Sequence, residues 1–242
     1  MPMRITPAIP ALAALLSLTP SAASAQAGAC RVPPVVARPH IVGPSADEPR
    51  RVVPVAGYTL AVSWSPEYCH GRRGAERDAF QCGGAGRRFG FTLHGLWPDG
   101  RGTQWPQYCR PAALLPDAVI RANLCATPSP QLLQHEYAKH GTCTGLPPAD
   151  YFRLSTGLYA ALRFPDMGAL AGRRPNAGQL AREVARVNPG MTADMMRISV
   201  NRRGWLQEIW FCLDRARRYT RCPAGAGGAP AGASVKIQQP GA

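Results

Sequence analysis

Two short segments of this chain carry side chains able to move protons and to hold a phosphate. One reads Phe91-Thr92-Leu93-His94-Gly95-Leu96-Trp97-Pro98-Asp99, the other His135-Glu136-Tyr137-Ala138-Lys139-His140-Gly141-Thr142-Cys143. Imidazole has an unperturbed pKa of about 6.5, so near neutral pH one histidine can accept a proton while another donates one. A carboxylate and an ammonium beside them can steady charge developing on phosphorus. The set suits in-line phosphoryl transfer on RNA without a metal. One imidazole takes the proton of the ribose 2′-hydroxyl, the other gives a proton to the leaving 5′-oxygen, and lysine stabilises the phosphorane.

Taken singly, His94 or His140 reads as a structural, hydrogen-bonded histidine. Charges placed i, i+4 on a surface helix contribute only about 0.3–0.5 kcal/mol, and solubility alone does not call for His94-Gly95-Leu96-Trp97-Pro98. A zinc-protease reading fails on spacing. His135 and His140 are five residues apart rather than four, about 140° round a helix from each other, and do not face one ion.

The elements that must position these groups can be read locally. Ser129-Pro130 predicts an N-cap followed by proline at the first helical position, and Gly141 stands where that helix ends. His135 to His140 therefore lie on a helix of about three turns. Glu136 and His140 share a face of it, with His135 and Lys139 rotated by one position. Residues 58–64 alternate Tyr58, Leu60, Val62 and Trp64 onto one side of a strand that Ser65-Pro66 ends. Residues 69–88 form a Gly/Arg-rich loop between Cys69 and Cys82. Residues 88–93 predict a second strand, with Gly95 and Pro98-Asp99-Gly100 turning the chain directly after His94. Further helices are expected at 149–163 and 177–187, and late strands at 195–200 and 205–213. Strands and helices mix without a βαβ rhythm. The fold class expected is α+β: one domain with a central, mainly antiparallel sheet flanked by helices and stapled by disulfides.

Residues 1–25 have the order of a secretory leader: Arg4, then the apolar run from Ala11 to Leu18, then Ala23-Ser24-Ala25. That run is too short to span a bilayer comfortably, and no later segment is apolar for the ~18 residues a span needs. All eight cysteines lie beyond the leader, and an even count in an exported chain reads as four disulfides. Cys-x-x-Cys and His-x-x-x-His ligand pairs are missing, so a zinc site is not expected. The formal charge of +14 favours polyanions such as nucleic acid; losing the leader removes one cation, Arg4, and no acid. Residues 26–56 read as an extended Pro-rich arm with little regular structure, tethered through Cys30. Residues 224–242, rich in Ala, Gly and Pro, read as a disordered tail.

Both chemical segments resemble the two active-site signatures of the ribonuclease T2 family of secreted acid endoribonucleases. The first is Phe-Thr-Leu-His-Gly-Leu-Trp-Pro, and the second runs from Leu132 through His135-Glu136-Tyr137-Ala138-Lys139-His140 to Cys143. The resemblance reaches, more weakly, Trp64 to Cys69, Leu206 to Asp214 and Arg221-Cys222-Pro223, and so covers roughly residues 57–223. It implies that His94 is the general acid, His140 the general base, that Glu136 and Lys139 neutralise the phosphorane, and that His135 binds phosphate. It further implies that Trp97 stacks on the base 5′ to the cut and that Asp99 accepts from a base amino group; core packing is the competing role for Trp97. Trp105 and Tyr108 can offer a second stacking surface, with core the stronger reading. The resemblance implies disulfides Cys109–Cys143, Cys212–Cys222 and Cys69–Cys82, leaving Cys30 with Cys125.

The sequence thus leads to an exported, periplasmic or secreted, monomeric endoribonuclease that needs no cofactor and acts on single-stranded RNA. DNA lacks the 2′-hydroxyl nucleophile and is expected to resist; no membrane partner is expected. The alternatives are a catalytically silent basic RNA-binding protein on the same scaffold, and a cationic protein acting on an anionic envelope.

Overall fold

The computed structural model describes Met1 and residues 30–83, 89–102 and 104–239. The proposed leader, Met1 apart, lies outside these, as does part of the Gly/Arg-rich loop. Four antiparallel strands form one sheet in the order β2-β1-β4-β3: β1 Gly57–Trp64, β2 Phe91–Asp99, β3 Met196–Val200 and β4 Leu206–Asp214. Seven α-helices are described: α1 Ser65–Tyr68, α2 Ala79–Cys82, α3 Asp117–Asn123, α4 Pro130–Lys139, α5 Pro148–Ala161, α6 Met167–Arg173 and α7 Ala177–Arg186. The α+β class and the antiparallel sheet are those expected from the sequence.

Alternation decides the two faces of the sheet. Leu60 pairs with Leu96 on one side and Phe211 on the other; Val62 pairs with Leu93 and Ile209. These side chains are buried, together with Ile198 of β3 and with Leu133, Tyr151, Leu180 and Val184 of the covering helices. The opposite face carries Thr59, Ala61 and Ser63 of β1, Trp97 of β2, and Glu208 and Trp210 of β4. The candidate side chains gather on this polar face.

Strand β2 departs from the sequence reading. It does not stop at residue 93 and turn; it continues to Asp99, and Pro98 is accommodated because β2 is an edge strand. The turn expected at Gly95 is instead a β-bulge. Ala61 pairs with Gly95 and Val62 with Leu93, so His94 is the extra residue without a cross-strand partner. A bulge re-aims the side chain it carries. It keeps Leu93 and Leu96 both on the core side while His94 points to the polar face.

The tail is also corrected. Residues 224–239 lack a named helix or strand, but they lie against the domain. Ser234 bridges Asn176 and Lys236 bridges Trp205; Val235 and Ile237 are buried at 0% and 6% exposure. Trp64 Nε1 donates to the Gln238 carbonyl at 2.9 Å. The Ala/Gly/Pro composition hides a short alternation, Val235 and Ile237 inward, that the backbone at the start of β4 and just before α7 holds. Helices α3 and α6, unforeseen, connect the longer elements.

Four disulfides join Cys30 to Cys125, Cys69 to Cys82, Cys109 to Cys143 and Cys212 to Cys222, with no free cysteine among the described residues. The arm from Cys30 to Ala56 contains no named helix or strand. Among the described residues no helix is long and apolar enough to cross a membrane.

Candidate active site

Helix α4 supplies three of the groups. Ser129 caps it, its Oγ accepting from Leu132 N at 3.2 Å, and Pro130 opens it. His140 is the C-cap residue, its N–H donating to the Glu136 carbonyl at 3.0 Å. Gly141 follows for a packing reason rather than a left-handed conformation: a Cβ there would overlap the Tyr137 ring. Leu133 and Ala138 anchor the helix in the core. Glu136, on the facing side, is driven against the polar face of the sheet and is itself almost fully buried.

The approach of Glu136 is allowed by Gly95. A Cβ on residue 95 would overlap the Glu136 carboxylate and lie 2.7 Å from Trp97 Nε1. With hydrogen there instead, Glu136 Oε2 accepts from Trp97 Nε1 at 2.8 Å, and Oε1 stands 3.5 Å from His94 Nε2. His94 is gripped at its other nitrogen by Glu208, Nδ1 to Oε1 2.5 Å. Glu208 is fixed in turn by Ser63 Oγ at 2.7 Å and by Trp210 Nε1 at 2.7 Å. The His94 ring lies 5.0 Å from the Trp97 ring, edge to face, and the His140 ring 5.5 Å from the same indole. One tryptophan therefore has both histidines against it.

The two imidazoles are held in opposite charge states. Burial opposes a proton on His94, but the Glu136 carboxylate and the hydrogen bond to Glu208 outweigh it and lift the pKa to about 9. Burial holds His140 well below the ordinary histidine value, helped by the positive charges of Lys139, His135 and His94. Its Nδ1 is buried and meets no hydrogen-bond acceptor among the described residues, so nothing there rewards a second proton. Burial also raises the Glu136 carboxyl to about 7, against the pull of His94 and the Trp97 N–H. Near neutrality the site therefore holds one imidazolium, one neutral imidazole and a carboxyl close to its midpoint. Such a separation of pKa values suits paired acid and base work.

The remaining predicted residues take varied positions. Lys139 and His135 sit one turn apart along α4; Lys139 Nζ contacts Glu48 Oε1 at 2.5 Å. Burial and the Lys139 charge lower the His135 pKa. The Trp97 N–H is engaged by Glu136, so this residue is a wall of the candidate site as well as a ring surface. Asp99 lies at the far end of β2, where its Oδ2 accepts from Thr59 Oγ1 at 2.7 Å and burial raises its pKa. Tyr108 is buried, in accord with the core reading; Trp105 is exposed, with the Arg51 guanidinium 4.9 Å above its ring.

Glu208 and Glu48 went unassigned on sequence grounds. The only local sign of Glu208 is a charged residue alternating with buried Ile209 and Phe211 in a sheet strand. Its partner is 114 residues away and two strands over, a relation no spacing rule carries.

Residues 56–222 match the family model of the Ribonuclease T2 family. A "Probable ribonuclease" of Haemophilus influenzae is 30% identical over 182 residues, covering 70% of this chain and 61% of the relative. A "Ribonuclease" of Aeromonas hydrophila is 34% identical over 165 residues, covering 65% of this chain and 71% of the relative. The chain thus spans less than two thirds of the Haemophilus relative's length. Among solved structures, an RNase-related protein from Calystegia sepium superposes with a TM-score of 0.61 at 21% identity, covering 76% of this chain and 97% of that one. RNase NT in complex with 5′-AMP gives 0.59 at 20% identity, covering 77% and 99%. At these identities the two structures bear on the fold.

Proposed function

This chain belongs to the Ribonuclease T2 family, and from that premise we propose that it is an endoribonuclease cleaving single-stranded RNA by transphosphorylation. The observation that carries the reading is the opposed charge preference of two histidines set against one indole. His140, neutral, takes the proton of the 2′-hydroxyl as that oxygen attacks the adjacent phosphorus. The bond from phosphorus to the 5′-oxygen breaks, and His94, protonated and oriented by Glu208, gives its proton to the leaving oxygen. The products are a 2′,3′-cyclic phosphate and a free 5′-hydroxyl. With the roles reversed, His94 activates water and the ring opens to a 3′-phosphate.

Lys139 and Glu136 act on the phosphoryl oxygens, the ammonium by charge and the carboxyl, with its pKa about 7, by donating or holding a proton. His135 binds a phosphate. The exposed part of the Trp97 ring and the Asp99 carboxylate meet the base 5′ to the cut. RNA is the substrate and DNA is not, since the nucleophile is the 2′-hydroxyl. The reaction calls for no cofactor, and the chain acts as an exported monomer, as its four disulfides and candidate leader favour.

The experiment is product analysis on a defined oligonucleotide in the presence of a chelator, with the His94→Ala protein as contamination control. A cyclic phosphate end that later opens to a 3′-phosphate is expected. His140→Ala should lose at least about 100-fold in rate, the lower scale for lost acid–base catalysis. Chelator-sensitive cleavage, or equal cleavage by the His94→Ala protein, refutes the reading.

A further inference from the structure

The N-terminal arm lies outside the family match, which begins at residue 56, yet it reaches the catalytic lysine. It is fastened at both ends. Upstream, Cys30 is bonded to Cys125, Arg121 holds the carbonyls of Pro33 and Pro34 at 3.1 and 3.0 Å, and His40 N donates to Gln131 Oε1 at 2.9 Å. Downstream, Arg51 and Gln107 exchange backbone hydrogen bonds at 2.9 Å, and Gln107 Nε2 donates to the Pro49 carbonyl at 2.6 Å. Between these anchors the chain makes a turn in which Ser45 N donates to the Glu48 carbonyl and Glu48 N to Ser45 Oγ, both at 3.1 Å.

That turn delivers one carboxylate. Glu48 Oε1 meets Lys139 Nζ at 2.5 Å, and Oε2 accepts from Tyr108 OH at 3.0 Å. Tyr108 is tied to the same lysine through the backbone, its N–H donating to the Lys139 carbonyl at 2.8 Å. The Lys139 side chain is only 15% exposed, while that of Glu48 is 41% exposed, so the carboxylate is the more solvent-accessible partner of the pair. His135, one turn earlier on α4, adds its electrostatic field to the same carboxylate. Each carboxylate oxygen has one donor, as two oxygens of a phosphodiester would. Glu48 takes one of the donors of Lys139 Nζ and sets a negative charge where an RNA phosphate would approach it.

We propose that Glu48 is a tethered internal competitor: the arm lays its carboxylate in the phosphate subsite of Lys139 and Tyr108, and RNA must displace it to bind. The inference rests on the ribonuclease reading of the site. Because the arm is held by a disulfide and a backbone bridge, the displaced carboxylate stays close and can return when product leaves. It lowers affinity for every phosphate ligand alike and leaves the His94–His140 chemistry untouched. An ion pair whose carboxylate is 41% exposed is screened by water, which sets the scale at about 3- to 5-fold rather than orders of magnitude.

The test is titration of the full disulfide-bonded chain with inorganic phosphate at low ionic strength, by calorimetry, beside steady-state cleavage of a dinucleotide. Glu48→Gln is expected to bind phosphate about 3- to 5-fold more tightly and to lower KM by a similar factor, with kcat moving much less. In a Lys139→Ala background the same substitution should have no effect on phosphate binding. Double substitution of Cys30 and Cys125 by serine frees the upstream anchor and should tighten phosphate binding in the same direction as Glu48→Gln. Phosphate affinity unchanged or weakened in Glu48→Gln overturns the proposal, as does a fall in kcat, which would make Glu48 a positioning group for Lys139. If the wild-type chain binds phosphate but leaves RNA intact, the ribonuclease reading fails while the titration still decides the place of Glu48.

Discussion

Replacing Glu208 with glutamine takes a negative charge from His94 yet leaves an oxygen able to accept from Nδ1–H. The wild-type contact is 2.5 Å, and Glu208 is held by Ser63 and Trp210, so the amide can keep much of the geometry. Two unit charges about 4 Å apart at an effective dielectric near 20 interact by about 4 kcal/mol, which bounds the effect at about 3 pKa units. The His94 side chain is 30% exposed and keeps Glu136 as a second carboxylate, which brings the loss closer to that between a charge-assisted and a neutral hydrogen bond, about 1.5 kcal/mol or one pKa unit. The His94 pKa should fall from about 9 to about 8. The assay is kcat/KM against pH, which reports the free protein's groups, with the histidine followed by nuclear magnetic resonance. Its alkaline limb should move down by that unit, and its acid limb, governed by His140, should stay in place. An alkaline limb displaced by less than about 0.3 unit, with the resonance unmoved, would refute the claim that Glu208 maintains the acid.

Other perturbations test separate parts of the argument. Gly95→Ala places a methyl group on the Glu136 carboxylate and should cost at least about 100-fold in kcat/KM with the circular dichroism spectrum unchanged; a loss under about threefold refutes the close-approach argument. Trp97→Phe removes an N–H that favours the ionised form of Glu136, so the carboxyl should titrate still higher than in the wild type, read by carbonyl resonance against pH. Deleting residues 225–242 uncovers the sites of Val235 and Ile237, each worth about 1.5–3 kcal/mol, and should lower Tm by roughly 10 °C; an unchanged Tm would restore the free-tail reading. The His94 pKa is raised on folding, so its contribution to stability is full below about pH 6.5 and is lost as pH rises through about 9. Denaturant midpoints should therefore fall across that window in the wild type and fall less in Glu208→Gln.

Much of this protein was legible locally. The Ser129-Pro130 cap, the i, i+4 spacing of Glu136 and His140 and the alternation of Tyr58 to Trp64 are properties of a few consecutive residues, and the chain folds there as its own periods dictate. What failed were readings in which a distant partner overrides local preference. Gly95 and Pro98-Asp99-Gly100 spell a turn, but pairing with β1 keeps the strand running and expels His94 as a bulge. The tail composition spells disorder, but bridges to Asn176 and Trp205 lay Val235 and Ile237 into the hydrophobic core.

Residue types and their order along the chain fixed which acids and bases are available and which helix carries Glu136, Lys139 and His140. Tertiary structure alone decided their charge states. Glu208 reaches His94 from 114 residues away, and Glu48 reaches Lys139 from 91. An imidazole in isolation has one pKa. Here burial without an acceptor pushes His140 down, and two carboxylates push His94 up. Desolvation and Coulomb interaction depend on distance through space, which linear order does not encode.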